Sequence, residues 1–552
     1  MENPFIELAD ELDLDAAVRR GSERNDLLPP RLEDAVLGEV GKRFSESLQT
    51  RIERGRYEPT RAEVVLVPKP GNTTRPAALL TLADRVVYDG IVEILRPRVD
   101  TALLGNEVVL WPRGITIPKR WRKFEQAPLL GNSNFVAVAD VTGFYETIEH
   151  ERLREVLVTA TGRRTAVNAL MEFLGRVMGS PKGIPQGLAA SDPLATAYLS
   201  PVDAAMARSC LNYTRHGDDV RIAVNSVSDA RRALHAFEIE LRRVGLLVNG
   251  AKAMIIPRKR YEAMLANTER VREVAREALF QARVGELEED TEELDRVLKE
   301  TDNEQLGWDH LYHGTMTFAE VIEKLQAHLL PDDMEVAIHV LRDALNKRPG
   351  TEDGLSREEF HFRVTSSLIQ LSAGKSPLAL DMVAEILARF PEKTEVVAGY
   401  LASQKEDAAE AVAGKVVEIL SEERFRTDWE TAWLLAVLGK FHNSLVTRQQ
   451  PLLRGIALDE GQSYYCRAEA LKILGMQGEL DHMVVRRLWN IAPCCFHPDL
   501  VAAAHYARGK ESWCEPFLAG AMEDPINKVV VRHLERAAQQ GVDGRPQTAA
   551  RR

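Results

Sequence analysis

At 552 residues the chain is too long for one hydrophobic core, so two or three domains are expected, and an apolar fraction of 45% excludes a fibre or a disordered chain. The net charge of −12 hides an asymmetry. Residues 51–260 hold 31 Lys+Arg against 22 Asp+Glu, whereas residues 261–552 hold 34 against 49, which assigns any polyanionic partner to the first half.

In chain order, residues 1–20 alternate apolar and acidic positions without a cationic leader pattern, and no uncharged apolar run approaches the ~18 residues of a membrane span. A cytoplasmic protein with no membrane partner is expected. Residues 63–67, 135–140 and 213–224 read as strands, with helical patterns over 84–95 and 150–160, a mixed α+β half. From about residue 261 amphipathic helices follow one another with short polar connectors. An acidic stretch over 285–303 reads as a linker or thumb surface. Helices are then expected over 334–346, 360–372, 378–389, 407–420, 429–439, 465–475, 482–491 and 499–507. Such a series fits a stacked HEAT-like solenoid or an irregular helical domain, and no fixed-period consensus separates the two.

The cysteines (Cys210, Cys466, Cys494, Cys495, Cys514) are odd in number and unpaired in spacing, so reduced thiols are expected. Cys494, Cys495 and His497 cluster without a second ligand pair, which disfavours zinc. His310, His313 and His328 read as helix-surface residues, and no nucleophile triad, phosphate loop or HExxH pattern accompanies them.

The chemistry concentrates in the first half. Phe135-Val-Ala-Val-Ala-Asp140 is an apolar strand that delivers a carboxylate at its end and turns through Thr142 and Gly143. Alone, such an aspartate is an ordinary turn or cap residue. Tyr213-Thr-Arg-His-Gly217-Asp218-Asp219 adds a hairpin whose turn presents two adjacent carboxylates. Their mutual repulsion becomes favourable inside a cleft only with a bound divalent cation. Three carboxylates from two strand ends are the minimum set for two Mg²⁺ ions, with Mn²⁺ as an alternative. Between these strands, Lys182-Gly183-Ile-Pro185-Gln186-Gly187 is a Gly/Pro-bounded loop running into an apolar helix with Ser191 at its start.

In order and spacing these segments resemble motifs A, B and C of reverse transcriptases, and Gly183-Ile-Pro-Gln-Gly187 with Ser191, Leu194 and Ala195 resembles motif B most specifically. Gly245-Leu-Leu-Val-Asn249-Gly-Ala-Lys252 is similar to motif D, and Pro68-Lys69 through Arg75-Pro76, with Asp84-Arg85, to the fingers signature. The resemblance covers about residues 60–256. It implies a right-hand polymerase fold of fingers and palm, metal ligation by Asp140, Asp218, Asp219 and the Val141 carbonyl, and RNA or DNA with dNTPs as partners. It further implies that Tyr145 excludes a ribose 2′-OH, Gln186 contacts the incoming nucleotide, Lys69 and Arg75 hold its triphosphate, and Lys252 protonates pyrophosphate. Two positions depart from the family: His216-Gly217 replaces Tyr-Ala before the Asp pair, and Asp192-Pro193 stands where Pro-Leu is common.

The expected division is fingers and palm over 1–270, a helical thumb or linker over 271–330 and an α-helical domain over 331–552. A palm followed by a long acidic helical half looks like the bacterial abortive-infection and defence-associated reverse transcriptases. That resemblance implies homo-oligomerisation through the helical half and DNA synthesis that is RNA-directed or template-independent, with protein priming at a Tyr or Ser hydroxyl a further variant; Tyr464 and Tyr465 do not identify themselves as primers. Two alternatives stay open: conventional reverse transcription on a dedicated non-coding RNA, and a catalytically idle nucleic-acid-binding scaffold. The charge split further suggests that the acidic half shields the basic cleft, so that deletion of 304–552 would raise non-specific binding.

Overall fold

The computed structural model describes residues 3–20, 27–29, 31–71, 73–103, 117–209, 212–300, 317–347, 355, 357–444 and 450–539. Cys210, His310 and His313 lie outside them, as does the end of the 285–303 stretch. The chain divides into two compact units. One comprises Met1–Glu262, Phe390–Glu395 and Ala413–Ala549, and the other chiefly Ala263–Arg389 and Val396–Val412.

All described strands belong to the first unit. β1 (Glu63–Lys69) and β2 (Thr73–Leu79) form a hairpin in which Val67 pairs with Arg75 and Lys69 with Thr73. The period of two turns Val65 and Val67 inward and leaves Val64 and Leu66 exposed, so Lys69 shares the inward face. β3 (Phe135–Ala139), β4 (Asn212–His216), β5 (Asp219–Val224) and β6 (Met254–Pro257) make an antiparallel sheet of order β4-β5-β3-β6. The helix Val227–Arg243 starts at Ser226, whose hydroxyl accepts from the Asp229 N–H, and buries Ala230, Ala233, Phe237 and Leu241 along one stripe. That helix packs on β3 and β5. β2 and the short β6 were not among the expected strands: Pro76 interrupts the apolar pattern of the one and Pro257 ends the other after three residues.

Beyond residue 261 the described residues are helical, as expected. Thr317, Asp332 and Thr427 each form a reciprocal capping box with the Glu three residues on, which fixes where three helices start. In the second unit Leu287, Leu294, Leu298, Val321, Leu325 and Leu329 form one small core, and Ala275, Val336 and Val340 form another. The expected helix 378–389 is divided: Pro377–Met382 is a 3-10 turn ahead of Val383–Arg389.

Contacts partition the chain differently from sequence texture. The helices Asp428–Lys440, Tyr464–Gln477, His497–Tyr506 and Pro525–Gln539 belong to the compact unit that contains the sheet. They are tied to the N-terminal segment by a buried charge network. Arg31 is 2.7 Å from Asp499 and 3.0 Å from Glu33; Lys472 reaches Asp499 at 2.9 Å and Glu469 at 2.5 Å. Arg85 lies 3.9 Å from Glu33. Burial works against the Asp499 carboxylate, but Lys472 and Arg31 outweigh it and hold the group below its ordinary range. Trp429 Nε1 donates to the Leu27 carbonyl, and the buried Tyr465 hydroxyl donates to that of Pro29. Removing residues 304–552 would therefore strip the first unit of part of its own core, and that deletion no longer isolates charge shielding.

Arg31→Met should destabilise the first unit by about 3 kcal/mol, because it leaves Glu33 and Asp499 short of a buried cation. Adding Asp499→Leu to Arg31→Met should recover part of the loss. Urea unfolding followed by tryptophan fluorescence measures both, and an unchanged midpoint in the single variant would show that the network is not a fastening.

Candidate active site

Strand register assembles the site. Ala139 pairs with Val220 across β3 and β5, and His216 pairs with Asp219 across β4 and β5. Asp140, one residue beyond Ala139, therefore comes level with Asp219, and Asp218 projects from the hairpin turn beside them. Gly217 makes that turn with φ 62°, a left-handed conformation that a side-chain-bearing residue adopts only under strain. One carboxylate oxygen from each of Asp140, Asp218 and Asp219 can lie within 4.8 Å of the other two. Among the described residues this is the one group of three or more His, Cys, Asp or Glu side chains close enough to share a cation.

Such crowding has an electrostatic cost that the protein must carry. Burial first, then the charges of Asp219 and Asp140, push the Asp218 carboxyl up to about 6. Two features hold the strand ends in place. The fully buried Arg215 donates to Asp203 at 2.8 and 2.7 Å, to the Thr196 carbonyl at 3.0 Å and to the Gly217 carbonyl at 3.0 Å, which fastens the turn itself. On the other side, Val141 bridges Val248, the Thr142 N–H donates to the Leu247 carbonyl and the Asn249 N–H to the Asp140 carbonyl. The Asn249 amide also donates to Asp140 Oδ2 at 3.0 Å, and Lys252 Nζ lies 3.1 Å from the same oxygen.

Of the remaining expected residues, Lys69 and Tyr145 lie within electrostatic reach of Asp218, and Arg75 within that of Lys69. Lys69 has its amine pulled below its ordinary range by burial and by Arg75, and it feels Glu146, Asp218 and Lys252 as well. Arg75 Nε is buried without a hydrogen-bond partner among the described residues. Tyr145 donates its hydroxyl to Asp192 Oδ1 at 2.8 Å, and burial, then Asp192, raise its phenol well above the usual range. Asp192, the departure from the family pattern, is thus the acceptor that holds the Tyr145 ring. The Gln186 carbonyl accepts from the Ala78 N–H at 3.3 Å, while Gln186 Oε1 is buried without a hydrogen-bond partner among the described residues, beside a cavity of ≈ 230 Å³ lined also by Arg61, Val64, Ala78 and Lys182. Cys494 is exposed and Cys495 buried, while His497 stacks on Trp489 at 3.9 Å.

The sequence reading assigned no role to Arg215, Asp203, Asn249 or Asp192. Arg215, two residues before the turn, was the available signal; its partner Asp203 lies on a separate helix and carries no local mark.

The family model described as reverse transcriptase (RNA-dependent DNA polymerase) matches residues 67–265, a span that holds the sheet, the three aspartates, Lys69, Arg75, Tyr145, Gln186 and Lys252. This domain indicates a nucleotidyltransferase, an RNA-directed DNA polymerase. It implies the fingers and palm fold for the β1-β2 hairpin and the four-stranded sheet, and binding of nucleic acid and dNTPs. No curated protein matches the chain. No helix among the described residues is long and apolar enough to cross a membrane.

The donor set fits a hard divalent cation: all three groups are carboxylates, and Asp218 is held where its own ionisation is unfavourable without a counter-charge. A carboxyl raised from 3.8 to about 6 binds more protons folded than unfolded between those values. Its ionisation therefore costs stability that is intact below about pH 4 and lost as pH rises through about 6. In calorimetry, Mg²⁺ should raise Tm more at about pH 7.5 than at about pH 5, and Asp218→Asn should flatten the difference. Equal shifts at both pH values would place the cation elsewhere.

Proposed function

We propose that the chain extends DNA by two-metal nucleotidyl transfer, with Asp140, Asp218, Asp219 and the Val141 carbonyl as ligands for two divalent cations, Mg²⁺ in the first instance. The observation that carries the reading is the convergence of three carboxylates from strand ends whose register is fixed on both sides. Cations held there would supply charge to activate an attacking hydroxyl and to neutralise the leaving pyrophosphate. The protein's own groups do the rest. Lys69 and Arg75 bind the triphosphate through charge-assisted hydrogen bonds, supported by their shared face on the hairpin. Lys252, more than half exposed beside Asp140, is free to swing toward the triphosphate and give its proton to the departing oxygen. The Tyr145 ring, held by Asp192, occupies the space a 2′-OH would need, and the Gln186 amide faces the nucleotide.

We further infer a role in antiviral defence of the abortive-infection kind, in which the helical half acts as a HEAT-like interaction and oligomerisation module. The motif set followed by a long acidic helical region supports this reading. The purified protein, freed of nucleic acid, is incubated with Mg²⁺ and labelled dNTPs with and without RNA, alongside Asp218→Ala. Product without template, lost about 10³-fold in the variant, supports the template-independent mode. Product only with RNA supports conventional templated synthesis. No product from an intact, Mg²⁺-binding protein in any lane would leave the scaffold reading in its place.

Asp192→Ala should cut the preference for dNTP over NTP about tenfold, in the same direction as Tyr145→Ala, whereas Asp192→Asn, which keeps an acceptor oxygen, should retain most of it. The ratio of kcat/KM values for the two nucleotides reads this out. An unchanged ratio in Asp192→Ala would show that the ring is held by packing alone.

A further inference from the structure

The helix Ile117–Gln126 has two faces of opposite character. Arg120, Trp121 and Phe124 fall on one stripe, while Lys119, Arg122 and Lys123, at i, i+3 and i+4, fall on the other. The first stripe is spent inside the fold. Phe124 is fully buried, and Trp121 meets His216 edge-on at 5.4 Å, directly before the turn that carries Asp218. Phe124 is 6.0 Å from the same imidazole and lies under the Arg221 guanidinium at 4.9 Å.

The second stripe is exposed, and none of its cations is within ion-pair distance of a described carboxylate. It does not stand alone. Tyr261 donates its hydroxyl to the Glu125 carbonyl at 2.9 Å, and Arg258 donates to the Leu129 carbonyl at 2.9 Å. These bonds seat the start of the helix Arg258–Glu289 against the end of the helix Ile117–Gln126. The result is a stripe of three exposed cations on a chain of net charge −12, attached through His216 to the catalytic turn.

We propose that this cationic stripe is a phosphate-backbone contact that holds the nucleic-acid duplex at the active site, an inference that rests on the polymerase reading and names one surface through which it works. A polyanion is the partner the chemistry selects, because the stripe offers three exposed point charges on one helix face. A lipid surface is disfavoured: Phe124 is fully buried and Trp121 packs on His216, so the aromatic side that an interfacial helix would insert is engaged within the fold. Lys119, Arg122 and Lys123 touch phosphates and no base edges, so the contact is indifferent to sequence.

The test compares wild-type protein with Lys119→Gln/Arg122→Gln/Lys123→Gln and with a control, Arg231→Gln/Arg232→Gln/Arg242→Gln, that removes the same charge from the helix Val227–Arg243. Binding of a labelled RNA–DNA duplex is measured by fluorescence anisotropy across a salt series, with Tm checked for each protein. Loss of three phosphate contacts lowers the slope of log K against log salt by about 2 to 3, and weakens binding equally on unrelated sequences, while the control keeps the wild-type slope. An unchanged slope in the first variant, with wild-type protein still binding, overturns the surface and leaves the polymerase reading standing. Wild-type protein that binds no duplex at any salt overturns both.

Discussion

The pairing register of β3 against β5 is the constraint on which the three-aspartate cluster depends. A slip of one residue would carry Asp140 away from Asp219 and turn every β3 side chain to the opposite face of the sheet, exchanging Val136 for the smaller Ala137 in packing that is closed on both faces. Register is therefore over-determined. Val136, Ala137 and Ala139 are buried within the sheet, β6 pairs with the other edge of β3, and the Val141–Val248 bridge continues the ladder past the carboxylate. Arg215 completes the frame, because a fully buried guanidinium with two carboxylate oxygens and two carbonyls around it has one arrangement that satisfies its donors. The repulsion among the three aspartates is thereby opposed by the packing and hydrogen bonding of the whole sheet.

The second organising feature joins the ends of the chain. Arg31, Glu33, Arg85, Lys472, Glu469 and Asp499 balance in charge and are largely withdrawn from water. Arg85 opens the helix that follows the β1-β2 hairpin, so the network reaches from the C-terminal helices into the part of the fold that carries Lys69 and Arg75. The helices Tyr464–Gln477 and His497–Tyr506 are structural components of the unit that holds the sheet and the aspartate cluster. A network of this type specifies one arrangement of its helices, since any other leaves a buried charge unpaired.

Electrostatics divides along the same lines. The cations around the aspartates are each committed within the site or left exposed on one helix beside it, whereas Glu288, Glu289, Glu292 and Glu293 belong to the acidic helices of the second unit. Sequence-wide net charge averages these opposing surfaces into a number that describes neither.

The sequence by itself determined the local elements and the chemistry. Alternation and apolar runs marked β3 and the β4-β5 hairpin, Gly217 marked the turn, and the two strand ends marked Asp140, Asp218 and Asp219 as a candidate cluster, because each signal is carried by neighbouring residues. The helices after residue 330 were legible for the same reason. Tertiary structure alone decided what depends on contacts between distant segments. Asp203 finds Arg215, Asp192 finds Tyr145, and Arg31 finds Asp499 across 468 positions, pairings that no local pattern encodes. It also decided where the compact units divide, because a helix shows in sequence which face it will bury but not the partner that covers it.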